Sequence, residues 1–148
     1  MSRAFVLALL VLVAVPVAHA GLAQKEDRVD QDRIALRLET VKREDHGAYR
    51  LITLSNSDIE VREFINLQTK TTFAVAWNGK RMPDLIVLLG LDPAKLQPRS
   101  EYRTLRFVRI RANNLQFEAS GRLGSSGGHC IRLDLVPHQL SSSLELFR

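Results

Sequence analysis

Residues 61–90 read V-R-E-F-I-N-L-Q-T-K-T-T-F-A-V-A-W-N-G-K-R-M-P-D-L-I-V-L-L-G. Two strand-like runs lead through a turn into a short apolar helix, and most of the large apolar side chains able to nucleate a core lie here or pair with this stretch. Phe73, Val75 and Trp77 alternate with Ala74 and Ala76, which predicts a strand with one heavy face and one small face. Val61 to Ile65 predicts the strand before it, with Val61 and Ile65 on one side and Arg62 and Phe64 on the other. Asn66 to Lys70 has the length of a hairpin link, and Asn78-Gly79 closes the second strand. Pro83 suits the first turn of a helix, Asp84 puts a carboxylate at its positive end, and Gly90 stops the run from Leu85 to Leu89. So short a turn folds the helix back over the sheet. Phe73, Val75, Leu85 and Leu88 are therefore expected to form the central contact between sheet and helix.

Four motifs, V-R-E-F-I, F-A-V-A-W-N-G, M-P-D-L-x-x-L-L-G and S-G-G-H, resemble the signatures of a bacterial family of small exported proteins known as domain of unknown function 2844. The likeness runs from about Val29 to His129. Lys80 stands where that family usually has Pro, and the link before Phe73 lacks the usual Gly. The resemblance implies export and a shared fold; it implies no activity.

Toward the start, Met1–Ala20 has the form of a secretory signal peptide: Arg3, an apolar run from Ala4 to Val17, and Ala18-His19-Ala20 as a small-x-small cleavage site. The run is shorter than the ~20 residues that span a bilayer, so no membrane span is expected after processing. Residues 21–148 then form a single exported domain, periplasmic or secreted, long enough to bury a core without disulfides. Cys130 is the one cysteine, so no intrachain disulfide exists. The chain has 21 Lys+Arg against 16 Asp+Glu, a net charge of +5. Arg3 leaves with the leader. The remaining excess suits solubility and anionic partners such as lipid headgroups or acidic polysaccharide, but no dense basic block is present.

Gln24 to Asp45 is rich in Glu, Arg, Lys and Gln, with Ile34, Leu38 and Val41 on a helical stripe; a helix is expected, although Ile34, Leu36 and Leu38 also alternate as in a strand. Ala48 to Leu54 reads as a strand completing a three-stranded meander. Tyr102 to Ile110 and a run through Leu115 and Phe117 add strands. Gly121 to Gly128 reads as a flexible Gly/Ser loop, Cys130 to Val136 as a last strand with Ile131, Leu133 and Leu135 inward, and Gln139 to Arg148 as a short helix or frayed tail. The assembled expectation is an α+β fold: an antiparallel sheet of about five strands with helices packed on one face.

Candidate chemistry is sparse. His129 and Cys130 are strand neighbours and point to opposite faces, which argues against a dyad. His46, His129 and His138 lack metal-ligand spacing, and no phosphate-binding glycine loop, nucleic-acid motif or Gly-x-Ser-x-Gly elbow occurs. No catalytic residue, metal, cofactor or nucleic acid is therefore assigned. Arg62, Trp77, Met82, Asp84 and His129 are the candidates for contact with a ligand or partner. If Val61 and Ile65 face the core, Glu63 shares that face and needs a partner such as an arginine; if Phe64 is the buried side, Arg62 is the polar residue on the inner face. The functional expectation is a non-catalytic binding or accessory module of the cell envelope, its partner an envelope protein, polymer or small ligand. The alternatives are a small hydrolase using His129 with Asp84 or Glu63, and an assembly protein using an exposed strand edge.

Overall fold

The computed structural model describes residues 21–96, 98–140 and 147. The expected signal peptide and most of the expected tail lie outside them. One eight-stranded antiparallel sheet carries the fold, in the order β1-β2-β3-β4-β8-β7-β6-β5. It comprises β1 (Glu39–Asp45), β2 (Tyr49–Ser55), β3 (Ile59–Asn66), β4 (Thr71–Gly79), β5 (Ser100–Arg103), β6 (Phe107–Ala112), β7 (Leu115–Arg122) and β8 (Ser125–Arg132). Two four-stranded meanders are thus joined by the pairing of β4 with β8. The helices are short: α1 (Val29–Ala35) and α2 (Leu85–Leu89).

The expected five-stranded α+β layer fold is therefore incorrect, and the additional strands have identifiable sources. The charged segment after Leu38 is an edge strand rather than the second half of a helix, because only residues 29–35 are helical. Glutamate and lysine favour helix in isolation, but pairing with β2 overrides that preference here. The Tyr102 to Ile110 run is broken by a turn at Thr104, whose Oγ1 accepts from the main-chain N–H groups of Arg106 and Phe107. The Gly/Ser segment is not a loop. Only Leu123 and Gly124 form a turn, and Gly127 and Gly128 lie within β8. Conversely, the strand expected through Val136 ends at Arg132, and Leu133 is exposed.

The segment from Val61 to Gly90 folds largely as its pattern predicts. Asp84 caps α2, its Oδ1 accepting from Ile86 N (3.0 Å) and Val87 N (3.1 Å), and Gly90 ends the helix at φ 65°. Val75 and Leu88 are fully buried in the main core, and half-buried Leu85 packs against it. Phe73 departs from this group. Phe64 pairs with Ala74 but Ile65 pairs with Thr72, which leaves Phe73 as the extra residue of a β-bulge. The bulge breaks the period of two, and Phe73 packs instead against Phe64 on the other side of the sheet, ring centroids 6.3 Å apart.

The main core covers one face, running from Ile52 and Leu54 through Val61, Val75 and Cys130 to Phe117 and Ile110, with Val29, Leu88 and Leu89 above it. The second face carries a smaller cluster of Phe64, Phe73, Ala74, Ala76 and Ile131. The two edge strands, β1 and β5, carry charged side chains such as Lys42, Glu44, Glu101 and Arg103, which discourages pairing with another chain. No helix among the described residues is long and apolar enough to cross a membrane.

Candidate functional site

The β4–β8 pairing assembles a polar row on the second face. Arg62 on β3 pairs with Ala76 on β4, Ala76 with His129 on β8, His129 with Glu118 on β7, Glu118 with Arg109 on β6, and Arg109 with Tyr102 on β5. Paired residues in an antiparallel sheet project to the same face. Side chains spread over 68 positions of sequence therefore stand in one line. Above the middle of this row lies a cleft of about 300 Å³ lined by Arg62, Ala76, Asn78, Phe107, Glu118 and His129, among others.

Small residues make the cleft. Ala76 and Gly127 leave space beside His129. Gly128 is required for a different reason: it faces the covered side, where an added Cβ would collide with the Trp77 ring and the Glu118 carbonyl. The S-G-G-H stretch is thus a strand in which glycine admits a cross-strand tryptophan. Trp77 is 2% exposed and its ring packs at 6.0 Å from Phe117.

The imidazole of His129 lies at 4.2 Å from the ring of Phe147, nearly parallel, and its Nε2 is buried without a hydrogen-bond partner among the described residues. Burial lowers the His129 pKa below its usual value; Glu118 opposes the shift and Arg109 adds to it. The ring is therefore neutral at neutral pH. Glu118 Oε1 accepts from Arg109 Nε at 2.6 Å and from Gln116 Nε2 at 3.3 Å. The arrangement offers a neutral imidazole, the Arg62 guanidinium, the Glu118 carboxylate and aromatic walls to a small polar ligand. Among the described residues, no three His, Cys, Asp or Glu side chains converge as a metal site.

Of the residues singled out in the sequence, the cleft gathers the side chains of Arg62 and His129; Trp77 borders it, but its ring lies on the covered face. Met82 and Asp84 do not join them; they line a separate hollow of about 280 Å³ with Leu36, Ile59 and Arg81. Glu118, Arg109 and Phe107 escaped notice. The alternation of Leu115, Phe117 and Ala119 with Gln116, Glu118 and Ser120 assigns Glu118 a polar face, but nothing local reveals that β7 lies beside β8.

Glu63 is 1% exposed on the covered face, as its alternation requires, but its neighbour is Asp32 of α1 rather than an arginine. Asp32 is also 1% exposed, and Glu63 Oε1 and Asp32 Oδ1 both lack a hydrogen-bond partner among the described residues. Burial pushes Asp32 up to about 7, and burial together with the Asp32 carboxyl raises Glu63 well above the usual carboxylate range.

Cys130 is fully buried and unpaired, and burial pushes its thiol up to about 12. It is a core side chain that faces away from His129. A thiol reagent should leave the native protein unlabelled and label it stoichiometrically in denaturant. Rapid labelling of the folded protein would contradict this placement.

No curated protein and no solved structure matches the chain. Residues 18–143 match the profile of the family described as Protein of unknown function (DUF2844). That span includes every strand of the sheet and the whole polar row, and the chain belongs to this family.

Proposed function

We propose that the protein is an exported, non-catalytic binding module of the cell envelope, with an acidic saccharide as its ligand class and the cleft at His129 as its seat. The observation that carries this reading is the buried Nε2 of His129, left without a partner among the described residues, beside a cleft rimmed by Arg62. Buried polar atoms are nearly always hydrogen-bonded, so an open bonding position beside a cavity marks where a ligand atom or water belongs. Arg62 supplies positive charge for a carboxylate, Asn78 and Ser120 offer polar groups to hydroxyls, and the Phe107 and Phe147 rings suit a sugar's apolar face. Export is supported by the form of Met1–Ala20 alone.

A hydrolase is the second reading. It is favoured by one observation: His129, a carboxylate (Glu118) and Arg62 surround the same cleft. The carboxylates first considered for it are elsewhere, Asp84 as the cap of α2 and Glu63 on the covered face. Binding ranks first because Glu118 Oε1 is already held by Arg109 and Gln116, and because no hydroxyl or thiol among the described residues bonds to His129.

Calorimetry with glucuronate oligosaccharides and matched neutral glucose oligosaccharides tests the reading. The acidic series should bind at least about tenfold more tightly, and Arg62→Gln or His129→Ala should each lose about tenfold, as expected for a charge-assisted hydrogen bond. Equal affinity for the neutral series, or variants that bind like the wild type, would refute it. Cleavage of the oligosaccharide would establish the hydrolase reading instead.

A further inference from the structure

Leu105 and Leu123 are each 105% exposed, more than any other large apolar side chain among the described residues. Leu105 sits in the β5–β6 turn and Leu123 in the β7–β8 turn. In an antiparallel meander alternate turns share an end of the sheet, and these two are tied together: the N–H of Gly121 donates to the Arg106 carbonyl at 3.0 Å. The tips of the other hairpin turns are polar, with His46-Gly47, Asn56-Ser57-Asp58, Gln68-Thr69 and Asn113-Asn114, and Leu67 in the β3–β4 turn is half-buried.

Charge reinforces the contrast. Residues 21–95 hold twelve basic and twelve acidic side chains, whereas residues 99–140 hold seven arginines against Glu101, Glu118 and Asp134. The excess positive charge of the described domain therefore lies on the second meander. Arg103, Arg106 and Arg122 flank the two leucines and are exposed, and Arg106 and Arg122 form no ion pair among the described residues. Between them lies a hollow of about 350 Å³ lined by Arg106, Ser120, Gly121, Arg122, Ser125 and Gly127. Lys80 and Arg81 follow the end of β4 on the same side, since Gly79 pairs with Ser126.

We propose that this end of the sheet docks on an anionic phospholipid surface. Leu105 and Leu123 enter the boundary between headgroups and acyl chains, and Arg106 and Arg122 take the lipid phosphates in the hollow between the turns. Apolar tips within a basic collar combine the two attractions of interfacial binding, buried apolar area and charge. An acidic soluble partner would use the arginines but gain nothing from two fully exposed leucines. The cleft at His129 plays no part in the proposal.

Flotation of the processed chain with vesicles tests it, using phosphatidylcholine alone and phosphatidylcholine with about a third phosphatidylglycerol. The protein should float with the anionic vesicles, weakly with the neutral ones, and less in high salt. Leu105→Ser with Leu123→Ser, and separately Arg106→Gln with Arg122→Gln, should each lower the partition coefficient at least about tenfold while leaving the melting curve unchanged. Arg33→Gln, on α1, should have no effect. Failure of the wild type to bind anionic vesicles would overturn the proposal. So would equal binding by the leucine pair variant, or sedimentation showing that the leucines drive self-association instead.

Discussion

Raising the pH from about 4 to about 8 should lower the free energy of unfolding by on the order of 4 kcal/mol, through the buried pair of Asp32 and Glu63. Below the ordinary carboxylate pKa both folded and unfolded chains hold the Asp32 proton, and its contribution is constant. Above it, the unfolded chain releases the proton while the folded chain retains it up to about 7. The folded state then binds more protons, so stability falls with rising pH across that window. Glu63, shifted in the same direction by burial and by Asp32, adds to the loss above its own unfolded pKa. The sign is opposite to that of a salt-bridged carboxylate, which stabilises above its unfolded pKa. Asp32→Asn and Glu63→Gln should each reduce the slope above the ordinary carboxylate pKa, and both variants should be more stable than the wild type at about pH 8. Urea titrations across the range measure this. A wild-type midpoint that rises with pH would mean that the two carboxyls have basic partners.

Leu88→Ala should destabilise the protein by about 2–5 kcal/mol, the range for truncating a fully buried leucine. Leu88 is 0% exposed and lies in the main core with Val75 and Val61. The helix that carries it has only five residues, too few to persist without docking. Losing the Leu88 side chain therefore weakens both the packing and the reason for α2 to be helical. Ile86→Ala in the same helix is the matched control, since Ile86 is 48% exposed, and it should cost less than about 1 kcal/mol. Equal denaturation midpoints for the two variants would mean that α2 does not dock on the sheet.

These two predictions differ in how visible they were in the sequence. Leu88 was legible because Pro83, Asp84, Gly90 and the apolar run between them are local signals, and the short connection left the helix one place to go. The faces of Val61–Ile65 were legible for the same reason. Phe73 was misplaced because a β-bulge depends on the register between two strands, and one strand's alternation does not reveal it. Asp32 meets Glu63 only through tertiary packing, and so does His129 meet Glu118. The Gly/Ser stretch before His129 misled most, because its composition indicates a loop. Its Gly128 is there to clear the Trp77 ring and the neighbouring strand's backbone. Four strands went unseen or were misread for related reasons, each being charged, interrupted or glycine-rich, with its pairing supplied by a neighbour.

The functional reading stands or falls with β8 lying between β4 and β7, because that placement alone brings His129 to Arg62 and Glu118. Backbone nuclear Overhauser contacts in the folded protein test it most directly. Cross-strand contacts between Ala76 and His129, and between His129 and Glu118, are the predicted result, since paired residues in an antiparallel sheet have Cα atoms about 4.5–5.5 Å apart. Sharp His129 signals with only sequential contacts would place it on a mobile loop and would contradict both the polar row and the cleft built on it.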